Sequence, residues 1–123
     1  MEWLSLASLL QLIVGLGLLN VWLLRARSAT SYRGGAAQTL QEEFAAYGLP
    51  RFAFFVVGAL KIGAAVVLIA GVWIALPVGA AAGLVAALMI GAIAMHVKVG
   101  DPLMKSLPAA LMLAMSAAIV ALR

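Results

Sequence analysis

One lysine lies well inside a long apolar stretch of this sequence. Lys61 stands about nine residues into the apolar run 52–74, and a helix rising about 1.5 Å per residue places it about 13 Å from the start of that run. An ionisable side chain at that depth costs several kcal/mol unless it is paired, solvated or neutralised. Counted from the ends of their own runs, Ser116 lies at about the same level, Gln11 about one turn deeper, and Ser8 one turn from Gln11. We therefore expect an interior polar site of Lys61, Gln11 and Ser116, which either binds a ligand or only fixes helix packing.

A second polar group lies where apolar runs meet the connecting segments. Asn20 is about one turn inside the first run, His96 is at the end of the third, and Asp101 follows in the next turn. His96 and Asp101 are close enough in sequence to pair, although a helix-end histidine that contacts lipid head groups is the interpretation that we favour. One histidine cannot supply both axial ligands of a bis-histidine haem, although a dimer could supply the second. All three residues are ligand-binding candidates.

Most catalytic and metal-binding arrangements are missing from the sequence. It contains no cysteine, which excludes disulfides, cysteine-ligated zinc and iron–sulfur clusters within this chain. No apolar run holds a pair of carboxylates, and Glu42 and Glu43 fall in a connecting segment, where a solvated face is the default interpretation. We therefore predict no catalytic residue, no metal site and no firmly bound cofactor, and we favour a non-enzymatic role.

The composition indicates that a bilayer surrounds most of the chain. Of its 123 residues, 67% are hydrophobic and only 10% are charged, and the mean hydropathy is +1.19. A helix crosses the hydrocarbon core with about 20 mostly apolar residues. Four such runs lie at about 3–24, 52–74, 78–97 and 106–122. We predict an all-α integral membrane four-helix bundle that forms one domain, residues 1–123.

The polar segment 25–51 is predicted to hold a short amphipathic helix. Thr39 and Glu42 have the spacing of a capping box, which satisfies free backbone donors at a helix start. Gly48 and Pro50 end the helix, the glycine in a left-handed C′ position. Three apolar residues at i, i+4 and i+7 share the face that packs on the bundle or in the lipid interface: Leu40, Phe44 and Tyr47.

The basic residues predict the orientation of the bundle. Four crossings bring segments 25–51 and 98–105 to one side, here called the loop side, and both termini to the other. Arg123 is the only basic residue on the terminal side. By the positive-inside rule the loops are cytoplasmic and both termini face outward. Because topology accounts for the net charge of +4, we expect no nucleic-acid partner.

The third apolar run carries small residues at every fourth position, a pattern that lets membrane helices approach closely. We expect this stripe to pack inside the bundle, with homodimerisation through it as the alternative. Its members are Gly79, Gly83, Ala87 and Gly91.

Several short motifs in this order resemble the DoxX-like family of small bacterial four-helix membrane proteins. They are the segment ending in Gly48-Leu49-Pro50, the run Gly58-Ala59-Leu60-Lys61, and the third helix ending in Gly91-Ala92-Ile93-Ala94 with His96 and Gly100-Asp101 after it. The resemblance implies the bacterial inner membrane. Because some relatives are linked to thiosulfate-to-quinone electron transfer or to membrane oxidoreductase complexes, it also implies a quinone or lipid pocket, or an oxidoreductase partner.

Three functions fit these observations. The first is a small subunit or accessory protein that binds a quinone or lipid, with Lys61 or His96 donating to a ligand oxygen. The second is a structural or assembly protein of the bilayer, with a homo-oligomer or an oxidoreductase as its partner. The third and weakest is a small transporter, because the first run lacks the membrane-embedded glutamate of the small multidrug exporters.

Overall fold

Four long helices dominate the computed structural model, which describes residues 4–28 and 30–123. They are α1 (Leu6–Leu19, extended to Leu24 by a π-helical turn), α3 (Arg51–Ala70), α4 (Val78–Lys98) and α5 (Leu107–Leu122, preceded by a 3₁₀ turn over Leu103–Ser106). The short helix α2 covers Leu40–Ala46. Among the described residues, four helices are long and apolar enough to cross a bilayer, and the chain is an all-α membrane protein.

The helix boundaries differ from the predicted runs at two places. The run 52–74 is helical only to Ala70, because the chain turns at Gly71 and continues as a turn and coil to Pro77. The first helix begins at Leu6 after its N-cap Ser5, whose hydroxyl accepts from the Ser8 amide. Residue 3, where the first run was predicted to begin, lies outside the described residues.

The four long helices close into a ring. Helix α1 packs against α3 and α5, and α4 packs against the same two helices from the opposite side. The main apolar core lies between them and includes the fully buried Val14, Leu68, Val85 and Ile119. At the loop side, the amide of Gly35 donates to Asp101, so the two polar segments meet there as predicted.

Helix α2 follows the predicted signals. The Thr39 hydroxyl accepts from the Glu42 amide at 3.1 Å, and Gly48 ends the helix with φ of +77°. Its apolar face turns toward the bundle, where Phe44 and Leu40 join Trp22 in a second core cluster at the loop side. This cluster fixes α2 against α3 and positions the polar residues on the neighbouring faces of α2.

Candidate functional site

Lys61 faces a cavity at the loop side of the bundle. Its ammonium nitrogen lies 5.6 Å from the centroid of the Trp22 ring, a cation–π arrangement. No hydrogen bond or ion pair joins Lys61 to any residue that the structure describes. The lysine therefore lines the cavity with three N–H donors that have no acceptor within residues 4–28 and 30–123.

The cavity has a volume of about 510 Å³ and an uneven lining. Its polar wall holds four basic residues, one carboxylate, one histidine and several hydroxyl or amide groups, listed here in chain order: Asn20, Arg25, Thr30, Ser31, Tyr32, Arg33, Glu43, Lys61, His96 and Lys105. Its apolar wall comes from the long helices and includes Leu18, Trp22, Met89, Ala92 and Met112. Polar groups near the loops and apolar groups below them suit an amphiphile.

The structure does not bring Gln11 and Ser116 to Lys61. The Gln11 amide donates to the carbonyl of Leu68 at 2.9 Å, seven residues beyond Lys61 along α3, which is about 10 Å at 1.5 Å per residue. Gln11 also accepts from Arg123 at 2.8 Å. Ser116 is fully buried, and its hydroxyl has no partner among the described residues. Gln11 is therefore bonded toward the terminal side, where Arg123 also contacts Ser8, and Ser116 bonds to neither Gln11 nor Lys61.

An offset between α1 and α3 explains this separation. Trp22, in the last turn of the first helix, lies against Gly58, where an added Cβ would be 2.6 Å from the indole ring. Helix α3 therefore extends beyond the end of α1 on the loop side, where α2 packs against it. A residue of α3 and a residue of α1 at the same count from their loop-side ends therefore lie at different depths in the bundle. Lys61 lies level with the end of α1 rather than with Gln11.

His96 and Asp101 form the pair that their spacing in the sequence allows. The imidazole Nδ1 donates to Asp101 Oδ2 at 2.7 Å, and both side chains are about 95% buried. Asn20 lies in the cavity wall with an exposed side chain, so it shares the cavity with His96 but not the pair. The structure thus brings Lys61, His96 and Asn20 to one cavity, with Asp101 behind the histidine.

Three residues that were not predicted as site residues complete the network around His96. The Tyr47 hydroxyl donates to Glu43 Oε1 at 2.5 Å, and its oxygen lies 3.3 Å from His96 Nε2. Arg33 pairs with Glu43 Oε2 at 3.3 Å and donates to the carbonyls of Arg25 and Ser28. The network ties α2 to α4 along one wall of the cavity.

The surroundings of Asp101 and Tyr47 change their acidity in opposite directions. Burial acts to raise the pKa of Asp101, but hydrogen bonds from His96 and the Gly35 amide, with the Lys105 ammonium nearby, outweigh it and hold the pKa below its ordinary value. Burial and the hydrogen bond to Glu43 raise the pKa of the Tyr47 phenol well above its ordinary range. At neutral pH the first is therefore a carboxylate and the second a phenol.

The lowered pKa of Asp101 predicts an acid-dependent loss of stability. In the unfolded chain the Asp101 carboxylate takes up a proton near its ordinary pKa of 3.8, whereas in the folded chain it does so only at a lower pH. The contribution of Asp101 to stability is thus complete above that value and is lost as the pH falls through the folded pKa. We expect the difference in unfolding free energy between the wild type and Asp101→Asn to shrink as the pH falls from 7 to below 3.8. A difference that is constant with pH in denaturation titrations would contradict this assignment.

The small-residue stripe of α4 faces away from the other helices. A Cβ added at Gly79, Gly83 or Gly91 would meet no atom within 4 Å, and Ala87 is exposed. Close packing within the bundle uses a different face of α4, with Ala81, Ala82 and Val85 in the core. The stripe therefore lies on the outer surface of the bundle, and its role in homodimerisation stays a prediction.

Comparison with known protein families places the chain in one of them. The model of the DoxX-like family matches residues 26–120, which is well over half of the chain. The matched range includes α2, α3, α4, most of α5 and eight of the ten residues of the polar cavity wall. Neither the curated proteins nor the solved structures give a match. Among the described residues, no three His, Cys, Asp or Glu side chains come together in a way that would hold a metal ion. The family match and the four membrane-spanning helices together show that this chain belongs to the DoxX-like family of membrane proteins.

Proposed function

We propose that this protein binds an amphiphile, a quinone or a lipid, in the loop-side cavity and acts as a small accessory subunit in the bilayer. The observation that carries the proposal is the Lys61 ammonium, which faces the cavity without any acceptor from the described protein. A lone ammonium within a membrane-spanning helix is costly unless something compensates it. An oxygen on the head of the bound molecule, a quinone carbonyl or a lipid phosphate, supplies the missing acceptor.

The size and lining of the cavity support an amphiphile over a polar metabolite. A volume of about 510 Å³ lies within the range of about 300–1,000 Å³ that is usual for small-molecule sites. Met89 and Met112 line its apolar part, and flexible thioethers adapt to irregular hydrocarbon. The head of the ligand would lie beside Lys61 and His96, with its apolar body between the helices.

The proposed setting is the bacterial inner membrane with the cavity near the cytoplasmic side. Most basic residues lie at the loop side, which the positive-inside rule assigns to the cytoplasm. The family link to oxidoreductase systems supports a redox protein as a partner, for which this chain would hold the quinone or lipid. In this role the cavity residues bind and orient the ligand.

Replacing Lys61 with methionine tests the binding function. The methionine keeps the apolar stem and removes the donor, so we expect the amount of quinone or lipid retained through purification to fall by about ten-fold, equivalent to about 1.4 kcal/mol. Quinone would be measured by chromatography of organic extracts and lipid by mass spectrometry. Arg27→Met is a suitable control, because Arg27 is exposed and does not line the cavity. Undiminished retention in a folded Lys61→Met protein would overturn the proposal.

A structural or assembly role is the second candidate. The outward stripe of α4 supports it, since Gly79, Gly83 and Gly91 leave a shallow surface that another helix could approach closely. In that case a stoichiometric protein partner, or a second copy of this chain, would copurify with an empty cavity. Mass spectrometry of the intact complex separates the two candidates.

A further inference from the structure

We infer that the head group bound in the loop-side cavity is an anion of the phosphate type, carried by a membrane lipid. This inference rests on the proposed function and narrows its ligand class. A quinone carbonyl and a lipid phosphate both accept hydrogen bonds, but only the phosphate also brings negative charge. The charges that line the cavity distinguish between them.

The charges of the cavity wall do not cancel. Arg33 is paired with Glu43 at 3.3 Å, and Lys105 lies 3.7 Å from Asp101. Two basic residues of the lining, Arg25 and Lys61, make no ion pair with any carboxylate in the described part of the chain. The cavity wall therefore holds two basic side chains that no described carboxylate pairs with.

Glu43, the one carboxylate in the lining, does not serve as a partner for Lys61. Its Oε1 accepts the Tyr47 hydroxyl at 2.5 Å and lies 3.9 Å from His96, while its Oε2 pairs with Arg33. Both oxygens are thus committed to the network between α2 and α4. A molecule in the cavity can supply the hydrogen-bond acceptors that Lys61 does not find among the described residues.

Neutral hydrogen-bond donors near the loops also favour an anionic head group. The Thr30 hydroxyl accepts from the Tyr32 amide at 3.2 Å, which leaves its own proton free to donate. Ser31 and Asn20 line the same wall with exposed side chains. A phosphate group, with several acceptor oxygens, matches a wall that is rich in donors.

The source of the anion follows from the position of the cavity. Its lower wall is apolar and belongs to membrane-spanning helices, with Leu18, Met89 and Met112 facing the space. Free phosphate would leave this part without a partner, whereas the acyl chains of a lipid fill it. A basic site near the cytoplasmic surface also meets the leaflet in which anionic lipids are common.

The test compares a phospholipid with a net negative head group with a zwitterionic phospholipid, in which a choline cation balances the phosphate. The full chain is purified in a neutral detergent, and its melting temperature and retained lipid are measured with phosphatidylglycerol, with phosphatidylcholine, with a membrane quinone and with inorganic phosphate. We expect phosphatidylglycerol to bind at least five-fold more tightly than phosphatidylcholine, with inorganic phosphate giving little stabilisation. Lys61→Met and Arg25→Met should each reduce the preference by about five-fold, as expected for one basic residue near anionic lipid.

Two further variants separate the effect of charge in the cavity from other effects of substitution. Lys61→Arg retains the charge and should retain the preference for phosphatidylglycerol, and Arg27→Met, outside the cavity, should leave it unchanged. Equal binding of the two phospholipids, or displacement of both by the quinone, would overturn the inference that the bound head group carries a net negative charge. The proposed binding of an amphiphile would still stand. Stabilisation by inorganic phosphate equal to that by phosphatidylglycerol overturns the lipid source. If no amphiphile binds the folded wild type, the proposed function itself fails.

Discussion

Replacing Glu43 with alanine is expected to lower the free energy of unfolding by about 3–5 kcal/mol, the cost of removing one partner from a buried ion pair. The carboxylate accepts from Tyr47 at 2.5 Å and pairs with Arg33 at 3.3 Å. Arg33 is only 6% exposed, so the variant leaves its guanidinium buried without a counterion. Tyr47 loses its acceptor at the same time. Reversible unfolding of the purified protein in mixed micelles measures the change.

Glu42 provides the matched control, because it precedes Glu43 on α2 and its side chain is exposed. Glu42→Ala should change stability by less than about 1 kcal/mol, the upper end of an exposed interaction with the helix dipole. The double variant Glu43→Ala with Arg33→Met should lose less than the sum of the two single changes, because no charge is left unpaired. Equal losses at positions 42 and 43 would show that the network contributes little.

Replacing Gly58 with alanine is expected to destabilise the protein by about 1–3 kcal/mol through overpacking. The added Cβ would lie 2.6 Å from Cζ3 and 2.9 Å from Cε3 of the Trp22 indole. The ring cannot move away freely, since Phe44 packs against it edge-on at 5.8 Å and Phe54 packs at 5.2 Å. Either the aromatic cluster or α1 has to shift.

Gly63→Ala on the same helix should stabilise the protein, whereas Gly58→Ala destabilises it. A Cβ at Gly63 would meet no atom within 4 Å, so only the helix propensity changes, which favours alanine by up to about 1 kcal/mol. Thermal unfolding of the two variants under the same conditions compares them directly. A loss of stability at Gly63 as large as at Gly58 would contradict the assigned packing of Trp22.

Local signals in the sequence predicted α2 correctly and showed that His96 and Asp101 could pair. The cap at Thr39, the left-handed Gly48 and the apolar face of α2 depend on residues only a few positions apart, so the geometry of one helix is enough to place them. His96 and Asp101 are likewise separated by a single turn. The family resemblance, which the match over residues 26–120 confirms, rests on the order of such short motifs.

Relations between helices were harder to predict. The interior site of Lys61, Gln11 and Ser116 assumed that all helices begin at one level, whereas α3 extends past the end of α1. A hydropathy pattern shows that a helix is apolar but not how far it slides along its neighbour. Glu43 was interpreted as solvated, although it lies four residues before Tyr47 and thus on the face that packs inward. That spacing was the signal that could have placed it in the network.

Trp22 belongs both to the aromatic cluster that fixes α2 and to the wall of the cavity. The packing that places Trp22 in the aromatic cluster therefore also forms one wall of the cavity. The unfolded chain lacks this wall, so a molecule that binds in the cavity binds the folded chain in preference to the unfolded one. Such a molecule adds RT ln(1 + [L]/Kd) to the apparent stability. The melting temperature of this protein is consequently a joint property of its sequence and of the surfactant or bilayer around it, and preparations that differ in delipidation are not comparable.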